Sequence, residues 1–229
     1  MLADRDYMRE PESRRPTATM VLLVVLGLCF AAQAVAALGF KADPIQPLGL
    51  SRDGFAAGKI WQLLTFQFLH AFPAPWHLLG NGLVIYFFGR SVETAVGAGR
   101  FLALYFTGGV LGGLLQLLMD WLMQAPSSIP LVGASAGAST LIAIFCRLYP
   151  EREGTFVIYF FPVHLRARTF LWLALAWSGL GALLRWGNIA EAAHLGGLLF
   201  GIAWVSASAE DGVLRGQWER LADRSALQM

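Results

Sequence analysis

Charged residues are scarce in this chain of 229 residues: 14% are Asp, Glu, Lys or Arg, and 56% are hydrophobic. Because an ordinary soluble domain carries roughly 25% charged residues, this composition excludes that class and indicates an integral membrane protein. The net charge is only +2 and no basic cluster stands out. Nucleic acid is therefore not an expected partner.

Cysteine and metal-binding patterns are equally sparse. The two cysteines, Cys29 and Cys146, both lie inside apolar runs, which favours buried packing over a disulfide. The four histidines contain no HExxH pattern. We therefore expect neither a metal site nor another cofactor.

Long apolar segments are abundant, and a helix needs about 20 such residues to cross a bilayer. There are six candidates: 20–40, 76–96, 101–122, 131–148, 170–184 and 189–206. The sequence therefore predicts an all-α integral membrane protein with a bundle of six transmembrane helices. We expect a polar tail over 1–18, a membrane domain over 19–209 and a second polar tail over 210–229.

The connection over 41–75 is too apolar for a solvated loop, since it contains "GKIWQLLTFQFLHAF". We expect it to lie partly embedded at the membrane interface, between the first and second helices.

Arginine and lysine residues orient the predicted bundle. With a cytoplasmic N-terminus, 13 of the 17 lie on the inner side, a strong positive-inside bias. This multi-pass topology places both termini in the cytoplasm. The compact six-span form favours a bacterial inner membrane.

Three of the predicted spans carry polar side chains at one depth. At a rise of 1.5 Å per residue, Ser135, Asn81 and His194 each lie roughly 7–8 Å into their spans. His77 lies four residues before Asn81 and shares its helix face. Because polar side chains are costly in a bilayer, this layer predicts a site. Serine with a histidine base can act as a nucleophile, and further donors can hold an oxyanion.

Two questions about this layer concern neighbouring residues. The stretch "LVGASAGAST" over 131–140 also contains Ser139, but Ser139 would lie about 6 Å deeper, so Ser135 is the preferred nucleophile. Small residues there also suit close helix packing. No acidic residue is an obvious third member, and Glu191, one turn before His194, is not expected to orient the ring.

Three motifs resemble those of the rhomboid family of intramembrane serine proteases. They are "HLLGN" over 77–81 for HxxxN, "GAS" over 133–135 for GxS, and "AHLGGLLFG" over 193–201 for HxxGxxxG. The stretches "WQLLTFQFLHA" and "ETAVGAGRF" are also similar to family segments. Together these stretches cover most of residues 59–201.

The resemblance implies a serine endopeptidase that cuts transmembrane helices of other membrane proteins within the lipid bilayer. Ser135 would be the nucleophile and His194 the general base. His77, Asn81 and the Ser135 N–H would form the oxyanion hole. The glycines expected at the packing contacts near the site are Gly133, Gly197 and Gly201.

Other functions stay open at this point. A catalytically inactive rhomboid-like protein would bind membrane clients without cutting them. A transporter or channel would need acidic residues inside the bundle, and Asp120 alone lies well along a span. The chain also departs from the family pattern at Ala136, where Gly is usual, at Ser139, often aromatic, and at Gln62, where Arg usually follows Trp61.

Overall fold

A computed structural model describes residues 16–124, 130–158, 161–184 and 190–210, and these are mostly helical. The helices are α1 Ala18–Phe40, α2 Ile45–Leu48, α3 Arg52–Ala56, α4 Gln62–Thr65, α5 Trp76–Val84, α6 Arg90–Val96, α7 Ala98–Leu122, α8 Ser135–Leu148, α9 Ala167–Leu184 and α10 Glu191–Glu210. A π-helical turn, Ile85–Gly89, joins α5 to α6. These two therefore form one continuous segment over the predicted second span.

Three of these helices are long and apolar enough to cross a membrane: α1, α7 and α9. Helix α8 is apolar but has only 14 residues. The structure is therefore mostly helical with three candidate spans, and the full six-span count stays a prediction. Residue 189, the predicted start of the sixth span, and most of both predicted tails lie outside the described residues.

The start of α1 is fixed by side chains that accept from its first N–H groups, which have no partner within the helix. The Thr17 hydroxyl accepts from the Met20 N–H at 3.2 Å. The Glu93 carboxylate on α6 accepts from the N–H groups of Ala18 and Thr19 at 2.7 and 2.8 Å. A negative group at this end also suits the helix dipole. Helix α1 is thereby anchored to α6.

Helices α7, α8 and α10 pack at the centre of the bundle, and we call them the inner trio. Small residues allow these backbones to approach closely. A Cβ on Gly197 would overlap the carbonyl oxygen of Ala136, and one on Gly201 would lie 2.7 Å from the carbonyl oxygen of Thr140. The Thr140 hydroxyl also donates to the Gly197 carbonyl at 3.0 Å. The α8–α10 contact therefore depends on glycine.

Helices α1 and α9 lie at the periphery of the bundle. Phe40 on α1 and Trp172 on α9 are 79% and 70% exposed. Large exposed apolar side chains are costly in water but are the normal lipid-facing surface of a membrane helix. These two helices therefore have the surface expected next to lipid.

A two-stranded antiparallel hairpin departs from the all-α prediction. It is formed by β1 Glu153–Ile158 and β2 Phe161–Arg166, with Glu153 opposite Arg166 and Ile158 opposite Phe161. The segment is short and apolar and contains a proline, so its hydrophobic pattern does not separate a strand from a loop. The pairing of the two strands is what defines it.

The connection before α5 is organised around buried polar contacts. Gln62, which stands where the family usually has Arg, is fully buried. Its Nε2 donates to the Pro47 carbonyl at 3.3 Å, and its Oε1 accepts from the Ser51 N–H at 3.4 Å. Leu50 pairs with Leu131, just before α8, through two backbone hydrogen bonds of 3.0 and 2.7 Å. Gln62 is thus an uncharged internal anchor of this connection.

Candidate active site

The serine and the histidine of the predicted layer meet at the α8–α10 contact. Ser135 is the first residue of α8, and His194 lies in the first turn of α10. The Ser135 hydroxyl Oγ and His194 Nε2 are 2.8 Å apart, which is hydrogen-bond distance. Ser135 is half-buried, and the His194 side chain is 23% exposed. Both side chains are therefore only partly covered by the rest of the protein.

The second serine of the stretch is placed differently. Ser139 is buried one turn further along α8. Its Cβ would lie 3.2 Å from a Cβ on Gly197, on the surface where α8 packs against α10. The hydrogen bond recorded for His194 Nε2 goes to Ser135.

The turn before α8 sets the position of Ser135. Gly133 has φ +127°, a backbone conformation that residues with a Cβ rarely adopt. Its N–H donates to the Phe66 carbonyl at 3.0 Å, and a Cβ there would lie 2.9 Å from His77 Nε2. Gly133 thus lies outside the helix and leaves room for the imidazole. This differs from the helix-packing role predicted for it.

Three hydrogen-bond donors lie around the turn that leads into Ser135. Asn81 Nδ2 is 3.6 Å from where a Cβ on Gly133 would lie, is buried and has no hydrogen-bond partner. His77 Nδ1 accepts from the Ala71 N–H at 3.3 Å, so the neutral ring carries its hydrogen on Nε2, the atom beside Gly133. The Ser135 N–H begins a helix and has no partner within it. A buried donor left unpaired is costly, so this corner suits an acceptor from outside the chain.

His70, in the connection before α5, packs against His77. Its N–H donates to Gln33 Oε1 at 3.1 Å, and its carbonyl accepts from Gln33 Nε2 at 2.7 Å. Its ring meets the His77 ring at a centroid distance of 5.2 Å. Burial and the neighbouring His77 lower the pKa of His70 to about 4, so its ring is neutral at pH 7.

Glu191 contacts the catalytic candidate, contrary to the expectation from sequence. Its Oε2 lies 3.1 Å from His194 Nδ1, and the side chain of Glu191 is almost fully buried. Two side chains of α9 donate to the same carboxylate: Trp177 Nε1 at 3.1 Å and Ser178 Oγ at 3.0 Å. The three-residue spacing between Glu191 and His194 was visible in the sequence. The sequence did not show that two donors on another helix would bind this carboxylate and so reduce the cost of burying it.

The comparisons with known proteins agree with this architecture. A family model for the rhomboid domain matches residues 57–209, so this chain belongs to the rhomboid family. The resemblance found in the motifs is thereby confirmed.

Several relatives carry related names. The chain is 33% identical over 129 residues to "Rhomboid protein 1, mitochondrial" of Saccharomyces cerevisiae, covering 56% of this chain and 37% of that protein. It is 31% identical over 145 residues to "Presenilin-associated rhomboid-like protein, mitochondrial" of Homo sapiens, covering 63% and 36%. "RHOMBOID-like protein 12, mitochondrial" of Arabidopsis thaliana is 28% identical over 170 residues, covering 68% and 49%. The chain thus spans about a third to a half of the length of these relatives.

The relatives overturn the predicted location. All three are named as mitochondrial proteins, which contradicts the bacterial inner membrane and the cytoplasmic termini expected from sequence. The physical reason is that span count and arginine balance report how a bundle is oriented across a bilayer. They carry no information about which bilayer it is.

Proposed function

We propose that this chain is an intramembrane serine endopeptidase that hydrolyses peptide bonds in or near transmembrane helices of other membrane proteins. The observation that carries the proposal is the 2.8 Å contact between Ser135 Oγ and His194 Nε2. A hydroxyl becomes a nucleophile when a base within hydrogen-bond reach can take its proton. Membership of the rhomboid family supports the same reaction class.

The reaction follows from these two side chains. Ser135 Oγ attacks the scissile carbonyl carbon while its proton passes to His194 Nε2. The C–N bond then breaks, and His194 returns the proton to the leaving amine. Water, deprotonated by His194 in the same way, releases the acyl group from Ser135 as a carboxylic acid.

The three donors near Ser135 suit the charge that develops on the carbonyl oxygen. His77 Nε2–H, Asn81 Nδ2–H and the Ser135 N–H are the groups that we assign to the oxyanion hole. Donors fixed in advance stabilise such an oxyanion strongly because they need no reorganisation during the reaction. The unpaired state of Asn81 Nδ2 supports this assignment.

The membrane arrangement is part of the proposal. We assign residues 19–209 to a six-span membrane domain, flanked by the tails 1–18 and 210–229. Its site opens toward the face at which α8 and α10 begin, because Ser135 and His194 lie in the first turns of these helices and are partly exposed. The partners are the lipid bilayer and transmembrane protein substrates.

Cleavage of a tagged model transmembrane substrate in liposomes tests the proposal. Wild type is compared with Ser135→Ala, His194→Ala and the matched control Ser139→Ala, with thermal unfolding of each variant measured in detergent. We expect Ser135→Ala and His194→Ala to abolish product and Ser139→Ala to retain it. A wild-type chain that binds a varied substrate panel but cuts none of it would favour the inactive, client-binding alternative.

A further inference from the structure

We infer that Glu191 is a positioning residue for His194, so that Ser135, His194 and Glu191 act as a triad rather than a dyad; this rests on the proposed peptidase function. The geometry is a chain of two contacts through one ring. His194 Nε2 lies 2.8 Å from Ser135 Oγ, and His194 Nδ1 lies 3.1 Å from Glu191 Oε2.

The contact with Glu191 selects the form of the ring that the reaction needs. An ionised carboxylate only accepts hydrogen bonds, so the Nδ1 atom that faces it carries the hydrogen. The lone pair of the neutral ring is then on Nε2, directed at the serine hydroxyl. Without this partner, either ring nitrogen of His194 could carry the hydrogen, and only one of the two forms is a base toward Ser135.

The same contact stabilises the charge that forms during the reaction. When Ser135 Oγ gives its proton to Nε2, the ring becomes a cation, while the Nδ1–H stays between His194 and Glu191. The carboxylate is not protonated in this step, and the proton leaves again from Nε2 to the amine. An adjacent negative charge in a partly buried site favours that cation.

The carboxylate is held for this purpose by helix α9. Trp177 Nε1 donates to Oε1, and Ser178 Oγ donates to Oε2, the oxygen that also faces His194 Nδ1. A Cβ on Gly181, also on α9, would lie 2.6 Å from Cγ of Glu191. The glycine therefore leaves the space that the carboxylate occupies. A glutamate at the start of a helix can stay exposed to solvent. Here α9 instead supplies two hydrogen-bond donors and the space for a buried carboxylate.

The groups recorded around the ring come from four helices. His77, from α5, acts electrostatically on His194. Helix α9 contributes the neutral Trp177 and Ser178, and α8 contributes the neutral Ser135.

Helix α7 contributes Gln116, which accepts from the Ala193 N–H and donates to the carboxylate of Asp120. Asp120 is therefore separated from α10 by a neutral side chain. Among the described residues, the carboxylate recorded at hydrogen-bond distance from His194 is that of Glu191.

The test is the cleavage rate of Glu191→Gln, which keeps the shape of the side chain and removes its charge. We expect kcat to fall about 10- to 100-fold, as for the partners that orient metal-bound histidines, with KM unchanged. Glu191→Asp, which keeps the charge, should recover part of the lost kcat. A merely structural role would not give this split between kcat and KM together with rescue by the acid.

The matched control is Glu93→Gln, the same change at a carboxylate that binds the start of α1. It should leave kcat and KM unchanged, even if it lowers stability. If wild type cuts and Glu191→Gln matches it in kcat, Glu191 has no positioning role, although the peptidase proposal stands. If wild type cuts nothing, both proposals fail. Should Glu191→Gln not fold, Ser178→Ala should lower kcat several-fold with KM unchanged, and an unchanged kcat would overturn the inference.

Discussion

The inner trio and helix α9 are held in the bundle in different ways. In the trio, glycine lets one backbone touch another, as where Gly197 lies against the Ala136 carbonyl. Helix α9 exposes Trp172 on its outer surface and reaches the site through hydrogen bonds to Glu191. Steric packing in the trio brings Ser135 and His194 to hydrogen-bond distance, whereas polar contacts from a peripheral helix hold Glu191, the carboxylate beside His194.

The largest effect is expected from adding a single methyl group to the trio. Gly197→Ala places a Cβ on the Ala136 carbonyl oxygen, so α8 and α10 must separate. We expect the free energy of unfolding to fall by about 3 kcal/mol, typical of overpacking, with loss of cleavage. The measurement is thermal or denaturant unfolding in detergent.

The control for this change lies on a peripheral helix. Gly27 on α1 has no atom within 4 Å of an added Cβ. Gly27→Ala should leave stability unchanged or raise it by up to about 1 kcal/mol through helix propensity. Equal destabilisation by Gly197→Ala and Gly27→Ala would contradict the conclusion that close backbone packing in the trio depends on glycine.

The next effect concerns α5, which also contributes polar groups to the site. Asn81→Ala removes the unpaired donor near Ser135. We expect kcat to fall about 100-fold, as for other oxyanion-hole donors, with little change in unfolding temperature. The neighbouring Gly80→Ala, which meets no atom within 4 Å, should keep wild-type kinetics. Similar rates for the two variants would remove Asn81 from the oxyanion hole.

A smaller effect is expected from changing the glycine of α9 that lies against Glu191. Gly181→Ala pushes on Glu191, whereas Gly179→Ala on the same helix meets no atom within 4 Å. We expect Gly181→Ala to lower kcat about tenfold by displacing the base slightly, and Gly179→Ala to have no effect. Steady-state cleavage at saturating substrate separates the two variants, and equal rates would contradict a role for α9 in placing Glu191 beside His194.

The smallest effect is expected from one hydrogen bond inside the trio. Thr140→Val keeps the shape of a fully buried side chain but removes the donor to the Gly197 carbonyl. We expect a loss of about 1 kcal/mol in the free energy of unfolding. The control is Thr94→Val on α6, where the hydroxyl is exposed and bonds its own helix; it should change stability by less than about 0.5 kcal/mol. A loss of the same size in Thr94→Val would contradict this reasoning.

Much of the fold was predictable because lipid imposes simple requirements on sequence. Residues 20–40 and 101–122 differ by only a few residues from α1 and α7, since apolar runs of this length with at most one charged residue have few alternatives in a membrane chain. Ser135 and His194 were found together because each is a rare polar group at a similar depth in an apolar helix.

The features that were missed depend on partners far away in the sequence. The hairpin of β1 and β2 exists through cross-strand pairing, which the apolar pattern of 153–166 does not reveal. The contacts that hold the Glu191 carboxylate come from two donors on α9 and from the space left by Gly181. Neither can be inferred from the residues next to Glu191 in the sequence. Gly133 looked like a packing glycine and instead forms a turn with positive φ. The local hydrophobic periodicity of the sequence does not indicate any of these three features.

The pairing of Leu50 with Leu131, and the bond from the Gly133 N–H to the Phe66 carbonyl, have a consequence for biosynthesis. A chain is made from its N-terminus, so Leu50 and Phe66 lack these partners until the residues just before α8 have emerged. The base arrives later still, because His194 is on the last described helix. Under the proposed mechanism, a nascent chain therefore carries its nucleophile before its base, and stays inert toward neighbouring membrane proteins until α10 has been inserted.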